Sequence, residues 1–422
     1  MKLMHVADLH LDSPFVGMSK QFKGLHKQLI QAPFQAFERC VSIAINRQID
    51  VFVIVGDIYD AKRQTIPAQH FFMKQLNRLD KAGIPVVMSH GNHDYLDLDK
   101  HPIRYPNNVH LFPNDQVQAI DLTLKDQTTV RFYGFSYTTR WVSERKIQDY
   151  PKNPRETDLT LGLLHGSAEG IESQEGNYAP FSTQELLAKQ YDYWALGHIH
   201  QIVQLHDEPL IQYSGTIQGR HRHETGDKGA FLIELNPNQP TKSEFFSLAP
   251  IVWQAATVEC QTNWSSSDIL QQLEQVIANY ESEAEASQQS QILSVTLNNA
   301  QRLAEDLQKQ IEAGELLMAL AEPTDVTPFV SITRIALKHH MAFEAFQYDE
   351  RLNASFIEAT QMLDQGDRYQ HIMQDVFQHP LMRKWLDDLS QDQELKDSIT
   401  ESAKQLMIQS IGFETKEVAH ED

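Results

Sequence analysis

Five times in its first two hundred residues the chain runs through a short apolar stretch and stops at residues able to bind a metal. The stops read "ADLH" (Asp8, His10), "GDIYD" (Asp57, Asp60), "GNHD" (Asn92, His93, Asp94), "LLHG" (His165) and "GHIH" (His198, His200). "DVFVIVGD" (50–57) and "IPVVMSHGN" (84–92) are continuous apolar runs of strand length, as buried parallel strands require. Between them, "PAQHFFMKQLNRLDKAG" (67–83) spaces Phe71, Phe72, Leu76 and Leu79 as a helix does and stops at Gly83. An earlier helix is expected at 34–47, with Phe37, Val41 and Ala44 on one face. Strands alternating with helices make an α/β domain, and functional groups in such sheets gather at the carboxyl ends of the strands. Five such ends then converge on one cleft. In an extended chain, the spacing of Asp8 and His10 puts both side chains on the same side.

Each piece has a bland reading. A lone DxH or HxH also ends an ordinary solvated strand, GNHD also makes a tight turn, and a single His165 also fits a hydrogen-bonded core. The bland reading has to hold five times in succession, each time after a buried strand. The mixture of residue types has a chemical reason instead. Two divalent ions about 4 Å apart need a bridging anion, for which Asp57 is the candidate. Imidazole and carboxylate ligands suit manganese, iron or zinc, and the lack of thiolates argues against a structural zinc site. Neutral ligands such as Asn92 and the histidines leave positive charge that attracts a phosphate.

Composition sets the outer limits. A chain of 422 residues holds roughly two or three domains. Cys40 and Cys260 are its two cysteines, far apart, which fits a reducing compartment. No apolar run reaches the ~20 residues that span a bilayer. Asp8 and His10 interrupt the N-terminal apolar stretch too early for a signal peptide, so a cytoplasmic protein with no membrane association is expected. A net charge of -21 counts against a general coat for polyanions, but not against a local basic groove or a bound cation.

Further strands are expected at about 130–136, 159–164, 192–196, 210–214 and 229–235, more than one short sheet needs. Two packed β-sheets flanked by helices follow. The pattern changes near Pro250. "IVWQAATVEC" reads as a strand, 266–280 as a helix capped by Ser265 and Asp268, and "QILSVTL" as a strand. A helix at about 300–319 and a strand at 329–337 follow. "ESEAEASQQSQ" (281–291) reads as a solvated helix end and loop. From about 341 onward only helices are expected, with Ile399, Ala403 and Leu406 on one stripe and Leu381, Trp385 and Leu389 on another. The expected division is 1–249, a small α/β unit at 250–340, and a helical C-terminal region at 341–422.

The order and content of the five motifs resemble the calcineurin-like metallophosphoesterase superfamily, whose fold has four layers. "HVADLHLDSPF", "SHGNHD" and "YSGTIQGRHRHETGDKGAFLIEL" are similar to its SbcD-like DNA-repair exonucleases, and among them to the YhaO-like group. The resemblance implies two divalent metal ions, with manganese favoured. Asp8, His10, Asp57 and His200 would hold one, and Asp57, Asn92, His165 and His198 the other. His93 would face the scissile phosphate and assist the leaving oxygen, with Asp60 orienting it. Some nuclease relatives carry histidine at the Asp60 position, so the acid–base tuning differs here. The resemblance further implies hydrolysis of DNA phosphodiesters, a cap formed by 250–340, and docking of the helical region on an SbcC-like coiled-coil ATPase. It leaves the oligomeric state, a homodimer included, open.

Arg220 and Arg222 in "QGRHRHETGDKG" read either as phosphate contacts or as part of a solvated hairpin between strands 210–214 and 229–235. His221, His223, His90, His101 and His110 read as loop residues. Two other functions remain in competition. One is a phosphoesterase of small nucleotides or phosphoproteins on the same metals; the other is a scaffold that has lost catalysis, against which the complete ligand set argues.

Overall fold

The computed structural model describes residues 1–13, 23–60, 64–96, 104–171, 178–237, 239–320 and 327–339, with a few isolated positions beyond. In chain order the strands are β1 (Lys2–Ala7), β2 (Val51–Val55), β3 (Val86–Ser89), β4 (Val109–Leu111), β5 (Gln118–Thr123), β6 (Thr129–Gly134), β7 (Leu159–His165), β8 (Tyr193–Gly197), β9 (Val203–His206), β10 (Leu210–Tyr213), β11 (Gly229–Glu234) and β12 (Lys242–Ser247). They form two six-stranded sheets, ordered β12-β11-β1-β2-β3-β4 and β5-β6-β7-β8-β10-β9. The run β1-β2-β3-β4 is parallel, as is β6-β7-β8-β10; antiparallel strands close the edges.

Alternation along the strands explains the continuous apolar runs. Leu3, Ala7, Val51, Val53 and Val55 point into a core shared with Phe132, Leu161, Leu163 and Ala195 of the other sheet. Met4, Val6, Phe52 and Ile54 point the opposite way, onto Phe37, Val41, Phe72 and Leu76 of helices α1 (Lys23–Asn46) and α2 (Ile66–Lys81). Across the second sheet, Trp194 and Leu196 pack with Leu186 of α3 (Thr183–Ala188). The layers run helix, sheet, sheet, helix, as expected. With both faces covered, polar groups collect at the strand ends.

A third sheet, parallel and ordered β13-β14-β15, is formed by β13 (Ile251–Glu259), β14 (Ser290–Asn298) and β15 (Val330–Lys338). Its helix α4 (Ser266–Ser287) starts at the expected capping box of Ser265 and Asp268. Three expectations shift. Helix α1 begins eleven residues earlier than 34 and carries Pro33 inside it. Leu25, Leu29 and Ala32 pack on Ile251, Trp253, Ile292 and Phe329, which outweighs the hydrogen bond that proline removes. The 281–291 tract is mostly helix, and Ser290 and Gln291 are buried in β14. The helix expected at 300–319 is a 3-10 turn (Ala300–Arg302) followed by α5 (Glu305–Glu312) and α6 (Glu315–Ala319), broken at Gly314 with φ 80°. The helical region expected from 341 lies outside the described residues, apart from isolated positions.

Candidate metal centre

The ends of β1, β2, β3, β7 and β8 bring the five motifs together. The chain does not do this in the way the DxH spacing suggests. Beyond Ala7 it is no longer extended: Asp8 has φ 51° and His10 φ 42°, both left-handed. Asp57 (φ 50°) and His198 (φ 100°) also have positive φ. Such backbone costs on the order of 1 kcal/mol or more per residue and persists where the surroundings enforce it. Here His10 N–H donates to the Asp57 carbonyl at 3.0 Å and Leu11 N–H to that of Ile58 at 2.9 Å, so the two strand ends turn inward together.

Two groups of ligand atoms result. Asp8, His10 and His200 form one, and Asp8, Asp57 and His165 the other; within each, the ligand atoms lie within 4.8 Å of one another. His165 Nε2 is 2.9 Å from Asn92 Oδ1 and 3.3 Å from Asp57 Oδ2. His10 Nε2 is 3.1 Å from His200 Nε2 and 3.9 Å from Asp57 Oδ2. Asp8 is common to both groups, and Asp57 Oδ2 faces one imidazole nitrogen of each. Asp57 Oδ2 is buried, with no hydrogen-bond partner among the described residues.

These residues fit a pair of divalent ions. His200 Nδ1 lies 2.7 Å from Glu224 Oε1 and His165 Nδ1 lies 3.0 Å from the Val55 carbonyl. Both partners are acceptors and match a protonated Nδ1, while the Arg220 guanidinium also reaches His200 Nδ1 at 3.0 Å. In the neutral ring, each Nε2 then turns a lone pair toward the centre. Ligand-type atoms about 3 Å apart are the edges expected around an ion with bonds of about 2.1 Å. The local field favours positive charge as well. Burial lowers the His165 pKa, but Asp57 and Asp8 outweigh it and raise the imidazole to about 9. Burial also opposes charge on Asp57, yet His165 and His93 hold its carboxyl well below the usual range. Burial pushes Asp8 up to about 6 against the pull of His165 and His200.

The remaining expected residues occupy distinct places. His198 donates its backbone N–H to both Asp8 carboxylate oxygens at 3.1 Å, and its ring centroid is 5.4 Å from that of His165. Its ring lies outside the two close groups. His93 donates its backbone N–H to Asp57 Oδ1 at 2.9 Å. The His93 ring meets His10 edge-on at 5.0 Å, and its Nδ1 is 3.8 Å from Asp60 Oδ1. Asp60 also accepts from Ser13 Oγ at 3.2 Å. The segment with Arg220 and Arg222 is not a hairpin, because β10 and β11 belong to different sheets and 214–228 crosses between them. Arg220 Nη2 lies 3.0 Å from His200 Nδ1 and 3.5 Å from Glu224 Oε1. Arg222 is half-buried in the same crossing.

Sequence reasoning missed the supports. Glu224 backs His200, Tyr137 donates its hydroxyl to the His165 carbonyl at 2.8 Å, and Thr216 donates to the Asp8 carbonyl at 2.7 Å. Asp94 accepts from the backbone of Ile58 and Gly91, both at 2.8 Å, tying two motifs together. Gly91 is sterically required: a Cβ there would fall 2.3 Å from Asp57 Oδ1 and 2.7 Å from the His165 ring.

Residues 1–202 match the family described as calcineurin-like phosphoesterase. The chain carries a calcineurin-like metallophosphoesterase domain. That family uses a dinuclear metal centre, and its members are phosphoesterases. Among curated relatives, the uncharacterized metallophosphoesterase YhaO of Bacillus subtilis is 33% identical over 272 residues, covering 64% of this chain and 66% of that protein. The DNA double-strand break repair protein Mre11 of Sulfurisphaera tokodaii is 25% identical, covering 57% of this chain and 61% of that one. A component of the nuclease SbcCD of Staphylococcus epidermidis is 24% identical over 60% of this chain and 70% of its own. The chain thus spans less than two thirds of the first two relatives' length. No helix among the described residues of the chain is long and apolar enough to cross a membrane.

Proposed function

We propose that the protein is a metal-dependent phosphodiesterase acting on DNA. In this reading Asp8, His10, Asp57 and His200 hold one divalent ion, and Asp57, Asn92, His165 and His198 the other, with manganese favoured. Paired ions held there supply positive charge for the phosphate and lower the pKa of a water. The chain's own residues do the rest. Asp57 fixes the spacing of the ligand groups and, through its Oδ1, the His93 backbone. His93, facing Asp60 and beside His10, holds a proton near the leaving sugar oxygen. Glu224 and the Val55 carbonyl keep His200 and His165 in the ligating tautomer.

The observation that carries the reading is the buried, unpartnered Asp57 Oδ2, 3.3 Å from His165 Nε2 and 3.9 Å from His10 Nε2, beside the Asp8 carboxylate shared by both groups. A cation satisfies all of them at once. DNA as substrate is supported by relatives named as a repair protein and as part of a nuclease. The same reading makes the third sheet a cap over the substrate, residues 341–422 a docking segment for an SbcC-like ATPase, and the cytoplasm the site of action. With a net charge of -21, binding to DNA without a partner is weak and steeply salt-sensitive.

A manganese-supplemented assay on the full chain tests this, comparing linear duplex DNA, a cyclic nucleotide and a phosphomonoester. DNA hydrolysis lost in Asp8→Ala is the expected result. Turnover of the small esters alone rejects DNA as the substrate.

A further inference from the structure

Trp141 stands apart among the exposed apolar side chains. It is 70% exposed, yet its ring is not loose. It stacks almost parallel on Tyr178, with centroids 5.1 Å apart and planes 12° apart. The loop is pinned on both sides: Thr139 Oγ1 donates to the Trp141 carbonyl at 3.2 Å, and Ala179 N–H donates to the Val142 carbonyl at 2.7 Å. Tyr178 is itself buried and meets the ring of His198 at 5.3 Å. Trp141 is therefore joined to the metal centre by two successive ring contacts. The Arg140 guanidinium carbon lies 5.4 Å from the indole centroid.

Single exposed apolar residues are ordinary on protein surfaces. Ile66 is more exposed still, but offers no aromatic face. An indole stacked on Tyr178 beside a phosphoester site, with an arginine over its ring, has the parts of a stacking platform. The acidic balance of the chain sharpens the point, because stacking gains affinity for a polyanion without spending positive charge.

We propose that Trp141 receives an unpaired nucleobase flanking the phosphodiester at the metal centre, and that Arg140 moves from over the indole to the adjoining phosphate. This rests on the DNA reading above. Only a base that has left its neighbour in the strand exposes a free face, so the site selects single-stranded or frayed ends over intact duplex. Every base has such a face, so the preference among bases is small.

The test uses the full manganese-loaded chain and a single-stranded oligonucleotide, intact or with one abasic position moved stepwise from the cleaved end. Trp141→Ala is expected to lose roughly tenfold in kcat/KM on the intact strand, chiefly through KM. One abasic position costs the native chain about the same and costs Trp141→Ala nothing more. Trp141→Phe, which keeps a ring on Tyr178, retains most of the native value. The platform is overturned if Trp141→Ala processes the intact strand like the native chain, or if the abasic penalty persists in that variant. A native chain that hydrolyses small phosphoesters but no oligonucleotide overturns the DNA reading and the platform together.

Discussion

The strands that carry the candidate metal centre and those of the third sheet are built alike in being parallel and joined by helices, although β13 and β15 are only partly buried. They part company just past their last residues. In the third sheet, the amides of Asn298 and Asn299 each donate to Glu259 at 2.7 Å, one to each carboxylate oxygen. Acceptors there meet donors and the strand end is closed. At the ends of β1, β2, β3, β7 and β8, ring nitrogens, carboxylates and an amide oxygen crowd together with Asp57 Oδ2 unpartnered, and the backbone is left-handed at Asp8, His10 and Asp57. Leaving buried acceptors unmatched costs about 1–3 kcal/mol each. A polar strand end becomes a site when its groups cannot satisfy one another and a cation can.

The largest effect expected from this contrast lies at Asp57. Asp57→Asn keeps the shape but removes the central negative charge. Paired metal occupancy should vanish from elemental analysis, and hydrolysis should fall on the order of a thousandfold or more. Undiminished metal content would put the bridging position elsewhere. Next comes His93→Asn, for which metal content should hold while kcat drops by about 10²–10⁴. Loss of metal in that variant would make His93 a ligand instead. Glu224→Gln sits one step further out. Weakening its grip on His200 should lower metal affinity by about 10–100-fold in a calorimetric titration, with little change in melting temperature. An unchanged affinity would reduce Glu224 to a partner of Arg220.

Much of this was readable from sequence, and for a physical reason. Central parallel strands are buried on both faces, so β1, β2, β3, β7 and β8 show as apolar runs with polar stops. The four edge strands, β4, β5, β9 and β12, did not show. β12 is largely exposed and β5 alternates half-buried with exposed residues, which leaves too little apolar signal. The candidate residues could be named because imidazoles, carboxylates and an amide recur in order, although the bends that aim Asp8 and His10 depend on contacts with 56–58, nearly fifty residues away. Glu224 was not legible for the same reason. Its link to His200 depends on where 214–228 crosses between sheets, which no local pattern encodes.

The smallest expected effect tests the closed end of the comparison. Glu259→Ala leaves the amides of Asn298 and Asn299 without their acceptor, but the pair is exposed and water replaces it. Stability in urea should fall by about 1 kcal/mol or less, with metal content and hydrolysis unchanged. The sheet does touch the metal centre's supports, at its opposite end. There Trp253 Nε1 donates to the Gly219 carbonyl at 3.0 Å, Gln218 Nε2 donates to the Ile251 carbonyl at 2.7 Å, and Gly226 N–H donates to the Trp253 carbonyl at 3.0 Å. These bonds hold the crossing that carries Glu224. Trp253→Phe should therefore reproduce a fraction of the Glu224→Gln loss in metal affinity, while Glu259→Ala reproduces none. If both variants weaken metal binding equally, the third sheet acts on the site as one body, and the distinction between its closed and coupled ends fails.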